Sequence, residues 1–235
     1  MTDLFAAAAE EHRAQNAPLA DRLRPIRLDD IVGQEHLLGV DRPLRGLIES
    51  DSLGSVIFWG PPGTGKTTLA RVIARTTQRW FEQLSAVSAS VRDVREILAQ
   101  ASDRLGQHGR GTILFLDEVH RFNKSQQDAL LPGVESGLLT LIGATTENPH
   151  FEVNAALRSR STLFRLEPLG ADALAQLIER GLDAERATAS ADAIQLLVDR
   201  GGGDGRQVLT ALGVAAALAR RSAATEIGLE HVEAA

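Results

Sequence analysis

The chain has 235 residues, 43% of them hydrophobic, which suits one large domain or one domain with a small second one. It has no cysteine, which excludes a disulfide framework and a thiolate metal site, and its net charge of −6 excludes a surface that is basic throughout, so any nucleic-acid contact must be local. Residues 1–20 carry Asp3, Glu10, Glu11 and Arg13 and lack the apolar core of a signal peptide, and no run approaches the roughly 18 apolar residues of a membrane span, so a soluble, cytoplasmic protein with no membrane partner is expected.

In chain order, residues 1–17 read as a flexible N-terminal tail. From Pro18 the character changes, with a turn at Gly33, a short helix starting at Gln34 and a second helix around Arg42 to Glu49. Val56 to Trp59 is apolar and strand-like, and after a glycine-rich loop Leu69 to Ala74 reads as helix. Trp80 to Leu84 reads as a short strand, Ser90 to Leu105 as an amphipathic helix, and 106–111 as a loop. Thr112 to Glu118 is a continuous apolar run ending in two acids, as expected of a central parallel strand covered on both faces. A helix over Gln126 to Leu131 is expected to stop at Pro132-Gly133, followed by strands at Leu138 to Ala144 and Thr162 to Leu166. After Pro168 the strands cease, and 171–181, 191–200, 205–220 and a stretch beginning at Leu229 read as helices. Alternation of strand and helix predicts an α/β fold with an open parallel sheet over 18–167, followed by a small all-helical domain over 168–235. Trp59 and Trp80 both fall in predicted core strands, so no base-stacking platform is expected.

Two motifs carry chemistry. Gly60-Pro61-Pro62-Gly63-Thr64-Gly65-Lys66-Thr67, between a strand and a helix, fits the phosphate-binding loop in every fixed position. The two prolines have no N–H to give and stiffen the entry. The backbone amides of Gly63 through Thr67, with Thr68 beside them, would wrap a triphosphate at the helix N-terminus. Lys66 would reach the β- and γ-phosphates, and the Thr67 hydroxyl would hold Mg²⁺. At the end of the next long strand stand Asp117, placed to hold the metal, and Glu118, placed to orient and deprotonate a water. Asp117-Glu-Val-His120 also spells a helicase D-E-x-H box, but those proteins need a second lobe that roughly 70 helical residues cannot supply, so His120 reads as a surface or supporting residue.

Gly60 to Thr67 with Asp117-Glu118 resembles the AAA+ ATPases. The stretch Asp117-Glu-Val-His-Arg-Phe-Asn-Lys-Ser-Gln-Gln-Asp128 with Gly143-Ala-Thr-Thr-Glu-Asn-Pro149 resembles one group within them, the replication-associated recombination protein A family, whose eukaryotic relative interacts with the Werner helicase. This resemblance implies a P-loop AAA+ core with a helical lid, ATP and Mg²⁺ as cofactors, DNA forks or strand junctions as partners, and a homo-oligomer. It implies a polar sensor at Thr145 or Asn148, an arginine finger at Arg160 acting on a neighbour's γ-phosphate, a lid arginine at Arg206, and an adenine-receiving loop at Ile31 and Val32. Family members usually continue into a C-terminal oligomerisation domain, which this sequence is expected to lack. A clamp-loader subunit, a Holliday-junction branch-migration motor and a nucleotide-switched scaffold share the same nucleotide site and stay open as alternatives. Arg121 and Lys124 are candidates for DNA phosphate contacts. Asp3-Leu4-Phe5 resembles the end of the peptide by which bacterial replication proteins dock on the sliding clamp.

Overall fold

The computed structural model describes residues 17–235, which fall into two compact units, Pro25–Glu167 and residues 17–24 together with Pro168–Ala235. The Asp3-Leu4-Phe5 segment lies outside the described residues. In Pro25–Glu167, strands β1 (Val56–Trp59), β2 (Trp80–Ser85), β3 (Thr112–Asp117), β4 (Leu139–Thr145) and β5 (Thr162–Arg165) form one sheet in the order β2-β3-β4-β1-β5. Every pairing is parallel. Period-two alternation divides the strands' apolar residues between two clusters, one for each face of the sheet. Val56, Phe58, Ile113, Phe115 and Ile142 join Leu69, Val72 and Ile73 of the helix Lys66–Thr76. Ile57, Leu114, Leu116 and Leu141 join Val94 and Ile97 of the helix Val91–His108 and Leu130 of the helix Lys124–Glu135.

Two expectations are corrected here. The helix at Gln126 does not stop at Pro132-Gly133 but runs from Lys124 to Glu135 with Pro132 inside it. Gly133 serves close packing instead, because a Cβ there would meet Leu98 Cδ2 at 2.2 Å and Leu139 Cβ at 3.3 Å. Trp80 is not a core residue: it sits on the edge strand β2, 41% exposed, with the guanidinium carbons of Arg104 and Arg110 at 5.0 and 5.3 Å from its ring. An edge strand leaves part of an aromatic ring uncovered, and the two arginines add cation–π contact to it. The helix after Ser90 also runs on to His108, where Gly109 closes it in the left-handed region.

The second unit is helical. Its long helices are Ala171–Glu185, Ala191–Gly201 and Gly205–Arg221, with short ones at Leu19–Arg22 and Leu229–Glu233. Gly181 admits Leu212 so closely that a Cβ there would fall 2.4 Å from Leu212 Cδ2. Gly203, at φ 88°, lets the chain pass against Pro168, and its carbonyl accepts the Leu169 N–H at 3.0 Å. Residues 18–24, expected with the α/β core, belong to this unit. The reason is local: Leu19 is buried, its Cδ2 lying 3.3 Å from a Cβ position at Gly181, and Arg22 pairs with Glu185.

Candidate nucleotide site

The phosphate loop leaves β1 at Gly60, whose N–H donates to Thr145 O at 3.2 Å. Only glycine fits there: φ is 148° and a Cβ would stand 2.2 Å from Leu166 O. Gly63 and Gly65 also hold positive φ, and Gly65 opens the helix Lys66–Thr76. The amides of a helix's first turn point out of its N-terminus, which suits that end to an anion. Thr68 lies in the same turn, half-buried. Pro61 and Pro62 are exposed at the crest. Lys66 is buried, and its Nζ donates to the carbonyl oxygens of Gly60 and Pro61, each at 2.7 Å. Thr64 closes the turn by donating its hydroxyl to Pro61 O at 3.0 Å.

Asp117 ends β3 beside this loop. Its Oδ2 lies 3.5 Å from Thr67 Oγ1, and its Oδ1 accepts the Glu118 N–H at 3.2 Å. Two hard oxygens at this spacing suit Mg²⁺, which takes few protein ligands and completes its shell with water and substrate phosphate. Glu118 leaves the strand in the left-handed region, φ 55° and ψ 47°, a conformation that costs a non-glycine residue energy and re-aims its side chain. Its Oε2 lies 3.3 Å from His120 Nδ1, which is 2.9 Å from Thr145 Oγ1.

The two sensor candidates now differ in surroundings. Thr145 is fully buried at the end of β4 and holds His120 on one side and the Glu147 N–H, 3.0 Å away, on the other. Asn148 caps the short helix Pro149–Glu152, its Oδ1 accepting the His150 N–H at 3.0 Å. The structure therefore brings Lys66, Thr67, Asp117, Glu118 and Thr145 into one linked set and gives Asn148 a local task. Ile31 packs on the apolar cluster that contains Leu69 and Ile73, and Val32 is half-buried beside it in sequence. Arg160, at the end of the helix Ala155–Ser159, points to the surface, where its Nη2 pairs with Glu135 Oε1 at 2.8 Å. Arg158 is turned inward onto the carbonyls of His150 and Val153 at 2.8 and 3.3 Å. Arg206 is exposed at the start of Gly205–Arg221, in the helical unit. Arg121 and Lys124 are exposed, and Arg121 lines an open cleft of about 600 Å³ with His120, Ala86, Val87, Glu147 and Glu152.

The sequence reading did not single out Gln34. Buried, it donates Nε2 to Thr64 O at 3.3 Å and to Glu167 O at 2.8 Å, while its Oε1 accepts the Glu167 N–H at 3.2 Å. It buttresses the phosphate loop from behind. A glutamine before a short helix carries no local signal for this, because its partners stand 30 and 133 residues away.

Comparison with known proteins agrees with this geometry. Residues 56–168 match the family described as "ATPase family associated with various cellular activities (AAA)". The chain is 48% identical over 206 residues to the replication-associated recombination protein A of Coxiella burnetii, covering 85% of this chain and 46% of that protein. It is 45% identical over 205 residues to ATPase WRNIP1 of Dictyostelium discoideum, covering 85% of this chain and 23% of that one. It thus spans less than half the length of these curated relatives. Among solved structures, the Thermotoga maritima RuvB Holliday junction branch migration motor superposes with a TM-score of 0.76 at 28% identity, covering 90% of this chain and 71% of that one. By these likenesses and by its site, the chain belongs to the AAA+ ATPases of the replication-associated recombination protein A group.

Proposed function

We propose that the protein is a Mg²⁺-dependent ATPase that remodels DNA in replication-fork maintenance and recombination, working as an oligomer. The observation that carries the reading is the 3.5 Å approach of Thr67 Oγ1 and Asp117 Oδ2, which sets an acidic strand end against the first turn of the helix that follows the phosphate loop. The amides of the loop and Lys66 bind the β- and γ-phosphates, and Thr67 and Asp117 hold the metal. Bound there, Mg²⁺ neutralises charge on the phosphate oxygens. Glu118 takes the proton of the attacking water, and Thr145 aligns that water. Arg160, at the surface and two residues from the inward-turned Arg158, supplies positive charge to the γ-phosphate in a neighbouring subunit's site.

The DNA role is supported by the names of the relatives and by exposed Arg121 and Lys124 just beyond β3. Docking on a sliding clamp through Asp3, Leu4 and Phe5 belongs to the same proposal. The test is ATP turnover with single-stranded, forked and gapped DNA, with the Glu118→Gln variant as the blank. Stimulation by one of these DNAs is the expected result. Hydrolysis that ignores all three favours a scaffold switched by nucleotide, and ATP binding without any Glu118-dependent hydrolysis overturns the ATPase reading.

A further inference from the structure

We propose that His120 is the positioning residue that holds the Glu118 carboxylate and couples it to Thr145 through a single N–H. The inference rests on the assignment of Glu118 as general base. His120 stands in the short turn Val119–Arg121 that follows the left-handed Glu118. One ring nitrogen, Nδ1, faces two oxygens: Thr145 Oγ1 at 2.9 Å and Glu118 Oε2 at 3.3 Å. A ring nitrogen carries either a proton or a lone pair. With a lone pair it could accept the Thr145 hydroxyl, but the Glu118 carboxylate, an acceptor only, would then face another acceptor. With a proton it serves both oxygens, and the Thr145 hydrogen turns toward Glu147 O, 3.5 Å away. The carboxylate thus selects the tautomer protonated at Nδ1.

Two consequences follow from that tautomer. Holding Oε2 sets the plane of the carboxylate and assigns the proton of the attacking water to Oε1. Thr145 and Glu118 also share one donor, so whatever draws the Thr145 hydroxyl away strengthens the hold on Glu118, and its return loosens it. Thr145 is itself tied to the phosphate loop, since its carbonyl accepts the Gly60 N–H at 3.2 Å. The state of the loop therefore reaches the general base through Thr145 and His120, a route of hydrogen bonds within one unit.

Three substitutions separate this from a packing role. In His120→Asn the side-chain amide nitrogen takes the place of Nδ1; in His120→Gln it takes the place of Nε2; His120→Leu has no donor. The asparagine variant should keep most of the wild-type kcat. The glutamine and leucine variants should lose about 100-fold, the cost of misplacing a catalytic group by about 1 Å, with ATP affinity unchanged in all three. Wild-type kcat in His120→Leu overturns the proposal, and so does better turnover in His120→Gln than in His120→Asn, because bulk would then matter and the donor would not. Independently of turnover, imidazole ¹⁵N spectra of the nucleotide-free protein should place the proton of His120 on Nδ1, and a proton on Nε2 alone overturns the proposal. Failure of the general-base reading looks different: Glu118→Gln would itself hydrolyse ATP normally.

Discussion

Gln34 and Glu167, 133 residues apart, are joined by two hydrogen bonds between one side-chain amide and both backbone functions of one residue, at 2.8 and 3.2 Å. The same amide nitrogen reaches Thr64 O in the phosphate loop. Gln34→Ala strands three backbone groups at once. Each buried group left without a partner costs about 1–3 kcal/mol, and water reaching the partly exposed Glu167 groups brings the total toward the low end. Denaturant unfolding should show a loss of about 2 kcal/mol, and calorimetry should show weaker ATP binding as Thr64 loses its support. Unchanged stability and affinity would make the bonds incidental.

Lys66→Ala removes the ammonium that bridges the Gly60 and Pro61 carbonyls and is assigned to the β- and γ-phosphates. No other side chain in the loop carries a positive charge. ATP binding should disappear from calorimetry while far-ultraviolet circular dichroism stays the same. Retained binding at wild-type affinity would remove Lys66 from the site.

Glu118→Gln keeps the size of the side chain and removes its basicity. It should bind ATP as the wild type does and hydrolyse it at least about 100-fold more slowly, the lower limit for loss of a general base. Single-turnover kinetics with radiolabelled ATP measures this, and a normal rate rejects the assignment.

The phosphate loop was legible because its chemistry confines glycine, lysine and threonine to one contiguous stretch. The placement of Asp117 beside the loop was legible because acids that end a buried parallel strand stand at the edge of the sheet where such a loop also lies. The different surroundings of Thr145 and Asn148 were not, because they depend on β4 lying beside β3, which brings His120 to Thr145 across 25 residues. Gln34 was hidden for the same reason. Pro132 misled because a proline inside a helix is read as a stop, whereas packing of Gly133 on Leu98 outweighs the lost hydrogen bond. Trp80 misled because an apolar run does not say whether its strand lies at the centre or the edge of the sheet.

Arg160→Ala should leave ATP affinity nearly intact and abolish turnover, since the side chain lies at the surface, paired with Glu135, where the phosphate loop's own contacts do not depend on it. An exposed pair of this kind costs little to open when a neighbour's phosphate competes for the guanidinium. If Arg160 acts on the neighbouring subunit, mixing Arg160→Ala with Lys66→Ala should restore part of the activity, because mixed interfaces contain one competent site. A verified mixed oligomer with no recovery counts against action between subunits.

The helical unit carries an acid-sensitive contact. Glu185 is nearly buried, and burial alone would push its carboxyl pKa up. The Arg220 guanidinium, 2.7 Å away, and that of Arg22 outweigh the burial and hold the pKa below its ordinary value of 4.5. A depressed folded-state pKa means that the folded protein prefers the ionised form more strongly than the unfolded chain does. The stability this contributes is therefore complete above the unfolded value and fades as pH falls below about 4.5 toward the lower folded value. Because both arginines are partly in water, the effect is screened, and Glu185→Gln should cost only about 1 kcal/mol at pH 7. Thermal unfolding of wild type and variant should converge as the pH is lowered through the range below 4.5. A deficit that stays constant from neutral to acid pH would show that the loss comes from packing and that the charge of Glu185 is without consequence for the unit.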